Sequence, residues 1–279
     1  MTIYILYYIF IIVCYYMTNN VAIVTSNNQK KESTLAYSDR PKNKECTFVV
    51  LSFGVLITIL GLRHQSMGID LVGYLPSFDF LGRLSWRELF EIQQWFNYEK
   101  GYMIFNKIVG LISTDRQVFL FACALCAIGP VGFLFYKKSK NTLFSMIIYL
   151  GLPVFVIAFS GLRQAIAIGI TAFSYQLIHE KKLIRFVLII LFASTFHSSA
   201  LLFLAAYPLY HFKLNDTVRW VSVCVLPVIW ILRTPLFVVL SKLVKDNAEI
   251  DNNNAITLFL VFLVIYIFCI LFAHTEKKQ

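Results

Sequence analysis

Charge is scarce in this chain. Only 14% of its 279 residues are Asp, Glu, Lys or Arg, against 58% hydrophobic residues and a mean hydropathy of +0.70. A soluble globular domain carries about 25% charged residues, so that class is excluded. The apolar runs also lack alternation of apolar and polar residues, which excludes a membrane β-barrel. No positively charged segment precedes the first apolar run, 1–17, and no small-residue cleavage site follows it, so it is expected to be a span and not a signal peptide. There is no internal repeat and no polar stretch large enough for a soluble domain. Cysteine is limited to Cys14, Cys46, Cys123, Cys126, Cys224 and Cys269, nearly all inside apolar runs, so no disulfide framework is expected. Cys123-Ala124-Leu125-Cys126 has redox or metal spacing. In an apolar run without a nearby histidine it reads as small residues at a helix interface. No aspartate-rich cluster of the kind that holds a metal is present, and no cofactor is expected.

What the chain does contain is apolar runs that span a bilayer or nearly so, over 1–17, 46–62, 117–136, 141–159, 161–179, 183–212, 218–240 and 255–273. About 20 residues are needed per crossing. The expectation is an all-α polytopic transmembrane bundle of about 8 to 10 spans, folded as one membrane domain over 1–279. Its parts would be a first span at 1–17, a cytoplasmic loop at 18–45, a large outer loop at 63–116 and the main bundle at 117–279. The run 183–212 reads either as a hairpin of two short spans or as one long tilted span, with the hairpin preferred.

A net charge of +10 suggests a nucleic-acid partner until the charges are located. Lys30, Lys31, Arg40, Lys42 and Lys44 cluster in one loop, Lys137, Lys138 and Lys140 in a second, and Lys181, Lys182 and Arg185 in a third. The positive-inside rule puts these loops in the cytoplasm and leaves the outer face nearly neutral. The basicity is therefore topological, and no nucleic acid is expected. Within the outer segment, Leu84 to Phe96 mixes Trp86, Leu89, Phe90, Ile92, Trp95 and Phe96 with charges, as a helix lying in the headgroup layer would. Residues 101–113 are apolar but too short to cross.

Against this background Ser160-Gly161-Leu162-Arg163-Gln164 stands out. Arg163 lies at the border of an apolar run with no carboxylate nearby in sequence, a costly placement whose default explanation is function. Ser160 is expected to cap a helix whose N-terminus faces outward, so that unpaired amide groups and the guanidinium share one anion site suited to phosphate or pyrophosphate. The plainer alternative is an arginine reaching the outer headgroups. His197 begins a polar patch at the outer half of the next helix, on the same side as Arg163. It can take a proton from a sugar hydroxyl or steady a phosphate, or simply hydrogen-bond between helices. Upstream, Arg63 adds a second cation, and Asp70 and Tyr74 fall one helical turn apart. The tyrosine can stack on a sugar while Asp70 orients or deprotonates a hydroxyl; a solvated loop is the alternative. Glu88, Glu91 and Glu99 are expected to be a solvated helix face, any one of them a rival base.

The pattern Arg63, Gly68, Asp70, Tyr74, then Gly-Leu-Arg-Gln-Ala-Ile-Ala at 161–167, then Ala193-Ser194-Thr195-Phe196-His197-Ser198-Ser199-Ala200-Leu201, resembles the EpsG family, membrane proteins related to Wzy-type polymerases of exopolysaccharide and capsule. The likeness runs from about residue 50 to 212. It implies a multi-pass glycosyltransferase of the plasma membrane with its site on the extracytoplasmic side, moving a growing glycan from undecaprenyl pyrophosphate onto a lipid-linked repeat unit. A metal-independent reaction is expected. On that reading Arg163, Arg63, Gln164 and Tyr74 bind substrate, Arg163 also stabilises the leaving group, and Asp70 or His197 takes the acceptor proton. The implied partners are the lipid-linked oligosaccharide, the bilayer, a chain-length regulator and a flippase. The rival readings are a transporter or flippase of the same lipids, an O-antigen-type ligase, and a scaffold of a polysaccharide assembly complex. The charges gather near one face, which weighs against a transport path.

Overall fold

The computed structural model describes residues 2–26, 42–92, 98–211, 228 and 231–232. The chain divides into two compact units, Met1–Tyr210 and His211–Gln279, and the described residues belong almost wholly to the first. They are helical throughout, with no strand among them. In order they form α1 (Thr2–Ser26), α2 (Lys42–Gly61), α3 (Leu71–Arg83), α4 (Trp86–Glu91), α5 (Lys100–Ile112), α6 (Arg116–Lys138), α7 (Thr142–Gly151), α8 (Pro153–Ser160), α9 (Leu162–Ala172), α10 (Tyr175–His179), α11 (Leu183–Ser194), a 3-10 helix (Ser198–Ala205) and α12 (Ala206–His211). The expected spans 218–240 and 255–273 lie outside the described residues, apart from three positions.

Two described helices are long and apolar enough to cross a bilayer by themselves, Lys44–Gly61 and Arg116–Lys138. The pair α7 and α8 makes a third if read as one span bent by 62°. The bend falls where the sequence places Gly151-Leu152-Pro153. Pro153 opens α8 without an amide hydrogen to continue the preceding helix. The run 161–179 is divided as well, into α9 and α10. Near the break, the hydroxyls of Thr171 and Ser174 bond back to the carbonyls of Ile168 and Thr171 at 2.7 Å each, which competes with the helical ladder. Over 183–211 the chain turns back on itself: Tyr207 of α12 lies against Phe186 near the start of α11, ring centres 5.3 Å apart, and Tyr210 Oη is 2.7 Å from His179 Nδ1.

The helices flanking the expected cytoplasmic loop are longer than the apolar runs. α1 continues through Ser26 and α2 starts at Lys42; residues 27–41 of the expected loop lie outside the described residues. α1 lies on α2, with the Tyr7 hydroxyl donating to the carbonyl of Ser52 at 2.8 Å. α2 lies on α6, and α6 on α9. Small residues allow the last approach: a Cβ on Gly169 would stand 2.4 Å from the carbonyl oxygen of Cys126. Cys123 and Cys126 are thus part of a close helix crossing.

The segment expected to form the large outer loop is a packed helical layer over its described residues. α3 buries Leu71, Tyr74, Leu75, Phe78 and Leu81, a stripe at helical spacing. α5 answers with Tyr102, Met103, Asn106 and Val109, and Lys107 Nζ of the same face donates to the carbonyl of Gly82 at the end of α3, 2.9 Å away. The expected amphipathic helix over 84–96 begins at Trp86. Ser85 caps it, accepting from Glu88 N while the Glu88 carboxylate accepts from Ser85 N. Leu89 is buried, while Trp86 and Phe90, four residues apart, are exposed; residues 93–97 lie outside the description.

One close approach fixes how this layer meets the bundle. The amides of Gly101 and Tyr102 donate to the carbonyl of Thr195 at 2.8 and 3.3 Å, docking the start of α5 on the end of α11. A Cβ at Gly101 would stand 2.2 Å from Thr195 Oγ1 and 2.8 Å from its carbonyl oxygen. Gly101→Ala is therefore expected to lower stability by about 1–3 kcal/mol through overpacking. Thermal unfolding of the detergent-solubilised protein reads this as a lower Tm, and an unchanged Tm would show that α5 does not need this contact.

Candidate functional site

Arg163 occupies the first turn of α9, as its sequence context predicts, but Ser160 does not cap that helix. Ser160 closes α8, and its hydroxyl accepts the amide of Asp70 at 3.2 Å. The N-cap is Gly161, which provides no side-chain bond. The serine hydroxyl is committed to a contact 90 residues away in sequence, so local capping loses to tertiary structure.

The carboxylate that Arg163 lacks in sequence arrives from α5. Arg163 Nη1 lies 2.7 Å from Glu99 Oε2. Its Nε donates to the Tyr74 hydroxyl at 3.2 Å. The guanidinium carbon stands 4.7 Å from the ring centre of Tyr98 and 5.8 Å from that of Tyr74. Two aromatic faces, a phenol and a carboxylate thus hold the cation in a mostly buried position, its side chain 14% exposed. The second oxygen of the carboxylate serves the other half of the site. Glu99 Oε1 accepts the amide of Ser198 at 3.1 Å, and His197 Nδ1 approaches it to 3.3 Å. That last contact is within ion-pair reach, without the alignment of a hydrogen bond.

Glu99 is therefore the hinge of the cluster, and it is not the solvated acid its sequence context suggests. It sits at the N-cap of α5 without capping that helix, its extended backbone turning the side chain toward the bundle. Burial alone would raise its pKa. The histidine, the amides around it and Arg163 outweigh burial and hold the carboxyl at about 2. The two other glutamates of the segment behave as expected: Glu88 closes the capping box and Glu91 pairs with exposed Arg87 at 2.8 Å. Glu99 differs from them in standing between Tyr98 and an apolar helix, the only signal in the sequence that could have singled it out.

The remaining candidates divide. Tyr74 is 7% exposed and packed against the rings of Tyr98 and Tyr102, so it props Arg163 and offers no open face for stacking on a sugar. Asp70 precedes α3 at the edge of the site, exposed, tied to Ser160 through its backbone. Arg63 does not join Arg163. It is 5% exposed, donates to the carbonyl of Ala158 at 2.9 Å and lies over Phe159. The loop that follows α2 is pinned: Gln117 donates to the carbonyls of Gly61 and Arg63, and Arg116 binds Asp79 and Gln65. Gly68, at φ +141, passes so close to the carbonyl of Phe159 that a Cβ would stand 2.2 Å from it. Gln164 turns into a separate cavity of about 340 Å³ with Thr171 and Ser199. That cavity abuts the cluster in sequence on both sides, because Gln164 follows Arg163 and Ser199 follows Ser198. No group of histidine, cysteine and acidic residues placed to hold a metal occurs among the described residues.

The family model described as EpsG family matches residues 46–279. No curated protein and no solved structure matches the chain.

A carboxyl held near 2 against an ordinary 4.5 contributes stability that is complete above about pH 4.5 and is lost as pH falls toward 2. The depression corresponds to about 3 kcal/mol. Glu99→Gln is expected to lower Tm at pH 7, and the gap between variant and wild type should close as pH falls from 4.5 to 2. A gap that persists unchanged at pH 2 would mean that the ionised carboxylate is not what stabilises the site.

Proposed function

The chain belongs to the EpsG family of membrane proteins, and from that premise we propose that it is a polysaccharide polymerase. It transfers a growing glycan from undecaprenyl pyrophosphate to the sugar hydroxyl of a lipid-linked repeat unit in capsule or exopolysaccharide synthesis. The observation that carries this reading is the cluster of Arg163, Glu99 and His197, which joins a fixed cation to a carboxylate-oriented imidazole.

The transfer forms a bond between the acceptor oxygen and the anomeric carbon of the donor, and breaks the bond from that carbon to pyrophosphate. Negative charge develops on the departing phosphate oxygen, where Arg163 and the amide groups of the uncapped start of α9 supply positive potential. The proton of the acceptor hydroxyl goes to His197. Glu99 lies on the Nδ1 side of the ring, which favours a tautomer with its proton there and leaves Nε2 basic. Arg163 meets the donor by exchanging one anion for another, the carboxylate of Glu99 for a pyrophosphate oxygen. Gln164 and Ser199 line the adjoining cavity and suit hydroxyls of the acceptor. Asp70, exposed at the rim, orients sugar and does not act as the base.

The distribution of charge supports one side of the membrane for the site. α6 begins at Arg116 beside the pinned loop and ends at Lys137 and Lys138. α9 carries Arg163 in its first turn, and Lys181 and Lys182 follow α10. The lysines stand at the far ends of the helices that start near the site, which supports an extracytoplasmic site by the positive-inside rule.

Arg163→Ala and Arg163→Lys, inserted at normal levels, are expected to abolish long polymer and let single lipid-linked repeat units accumulate. His197→Ala should slow transfer by about 10²–10⁴, while Asp70→Asn retains most of the rate. Gel analysis of extracted polymer and of lipid-linked intermediates reads both. Normal chain length in Arg163→Ala would overturn the enzymatic reading, and loss of rate in Asp70→Asn with retention in His197→Ala would reassign the base.

A further inference from the structure

A second cavity, of about 370 Å³, lies between α1, α2 and α8. Its walls are apolar and partly aromatic: Tyr7, Leu56, Ile59, Phe155 and Phe159. Thr58 adds a hydroxyl on the α2 side, and Arg63 and His64 line the cleft where α2 gives way to the pinned loop. An apolar trough in helices that lie in a bilayer takes hydrocarbon, and a cation at one end selects a chain that carries an anion there. The volume suits a segment of one chain. The cleft neighbours the cluster along the chain, because Phe159 in its wall is followed by Ser160 at the joint with Asp70.

We propose that this cleft holds the first part of the polyisoprenoid chain of the lipid carrier, with Arg63 and His64 facing its phosphate. The inference rests on the polymerase reading for the identity of the lipid, and it gives Arg63 a place apart from Arg163. Rigid rings in the wall suit a branched, unsaturated chain, and the positive end suits a phosphate monoester or diester. The two cations then divide the donor's pyrophosphate, its sugar-bearing phosphate at Arg163 and its lipid-bearing phosphate at Arg63, with the tail along α2.

The test uses the full chain in nanodiscs and a diazirine-bearing polyprenyl phosphate as probe, with the corresponding polyprenol and a diazirine-bearing phosphatidylglycerol as comparisons. The phosphate probe is expected to label peptides covering residues 56–67 and 153–160. Ile59→Trp, which fills the cleft, should reduce labelling by about tenfold, equivalent to about 1.4 kcal/mol of binding. Leu51→Trp on the same helix, outside the cleft, should leave it intact. The polyprenol should label more weakly than its phosphate. Absence of label from these peptides, or equal labelling by phosphatidylglycerol, would overturn the proposal. Neither result depends on polymer formation, so the cleft can fail while the Arg163 variants still support the polymerase, and the cleft can stand if they do not.

Discussion

The pairing of Arg163 with Glu99 is the constraint on which the rest of the described structure depends. A guanidinium at the edge of an apolar helix needs a counter-charge, and a carboxylate buried to the same depth needs a cation. Satisfying both draws together α3 through Tyr74, α5 through Glu99, α9 through Arg163, and the turn after α11 through His197 and Ser198. Removing one member of such a pair leaves the other charge buried and uncompensated, at a cost of about 3–5 kcal/mol. The backbone is arranged accordingly. Gly101 lets α5 dock on Thr195, and Gly68 lets the loop before α3 pass over Phe159, so that two glycines place the ends of the helices that carry the charges.

The same pair explains how the site can be stable and reactive. While Glu99 occupies Arg163, its carboxyl is held near 2 and is a poor proton acceptor. In the proposed reaction a pyrophosphate would compete for the guanidinium with more charge and more oxygens. On the proposed reading the displaced carboxylate would stay beside His197 and Ser198, where its negative charge would support an imidazolium formed as the acceptor loses its proton.

The sequence conveys the helical class well, because the apolar runs are long and lack alternation, and it places Arg163 and His197 on one side from helix direction alone. It also marks the break at Pro153. What it conceals are contacts set by tertiary approach. Ser160 has the composition of an N-cap but is claimed by Asp70; Tyr74 has the composition of a stacking platform but is buried under Arg163. Glu99 resembles Glu88 and Glu91 in its segment, and only the docking of α5 on α11 separates it from them. Arg63 reads as a partner for Arg163, yet the pinned loop turns it to the carbonyl of Ala158.

The charge-swapped double variant Glu99→Arg with Arg163→Glu separates pairing from chemistry most directly. It keeps an ion pair across the same two helices while moving the cation away from the start of α9 and the carboxylate away from His197. The account predicts that the Tm recovers toward wild type relative to each single variant, while reconstituted protein given lipid-linked repeat units makes no long polymer. Recovery of polymer together with stability would contradict it, because Arg163 would then act only as a structural partner of Glu99.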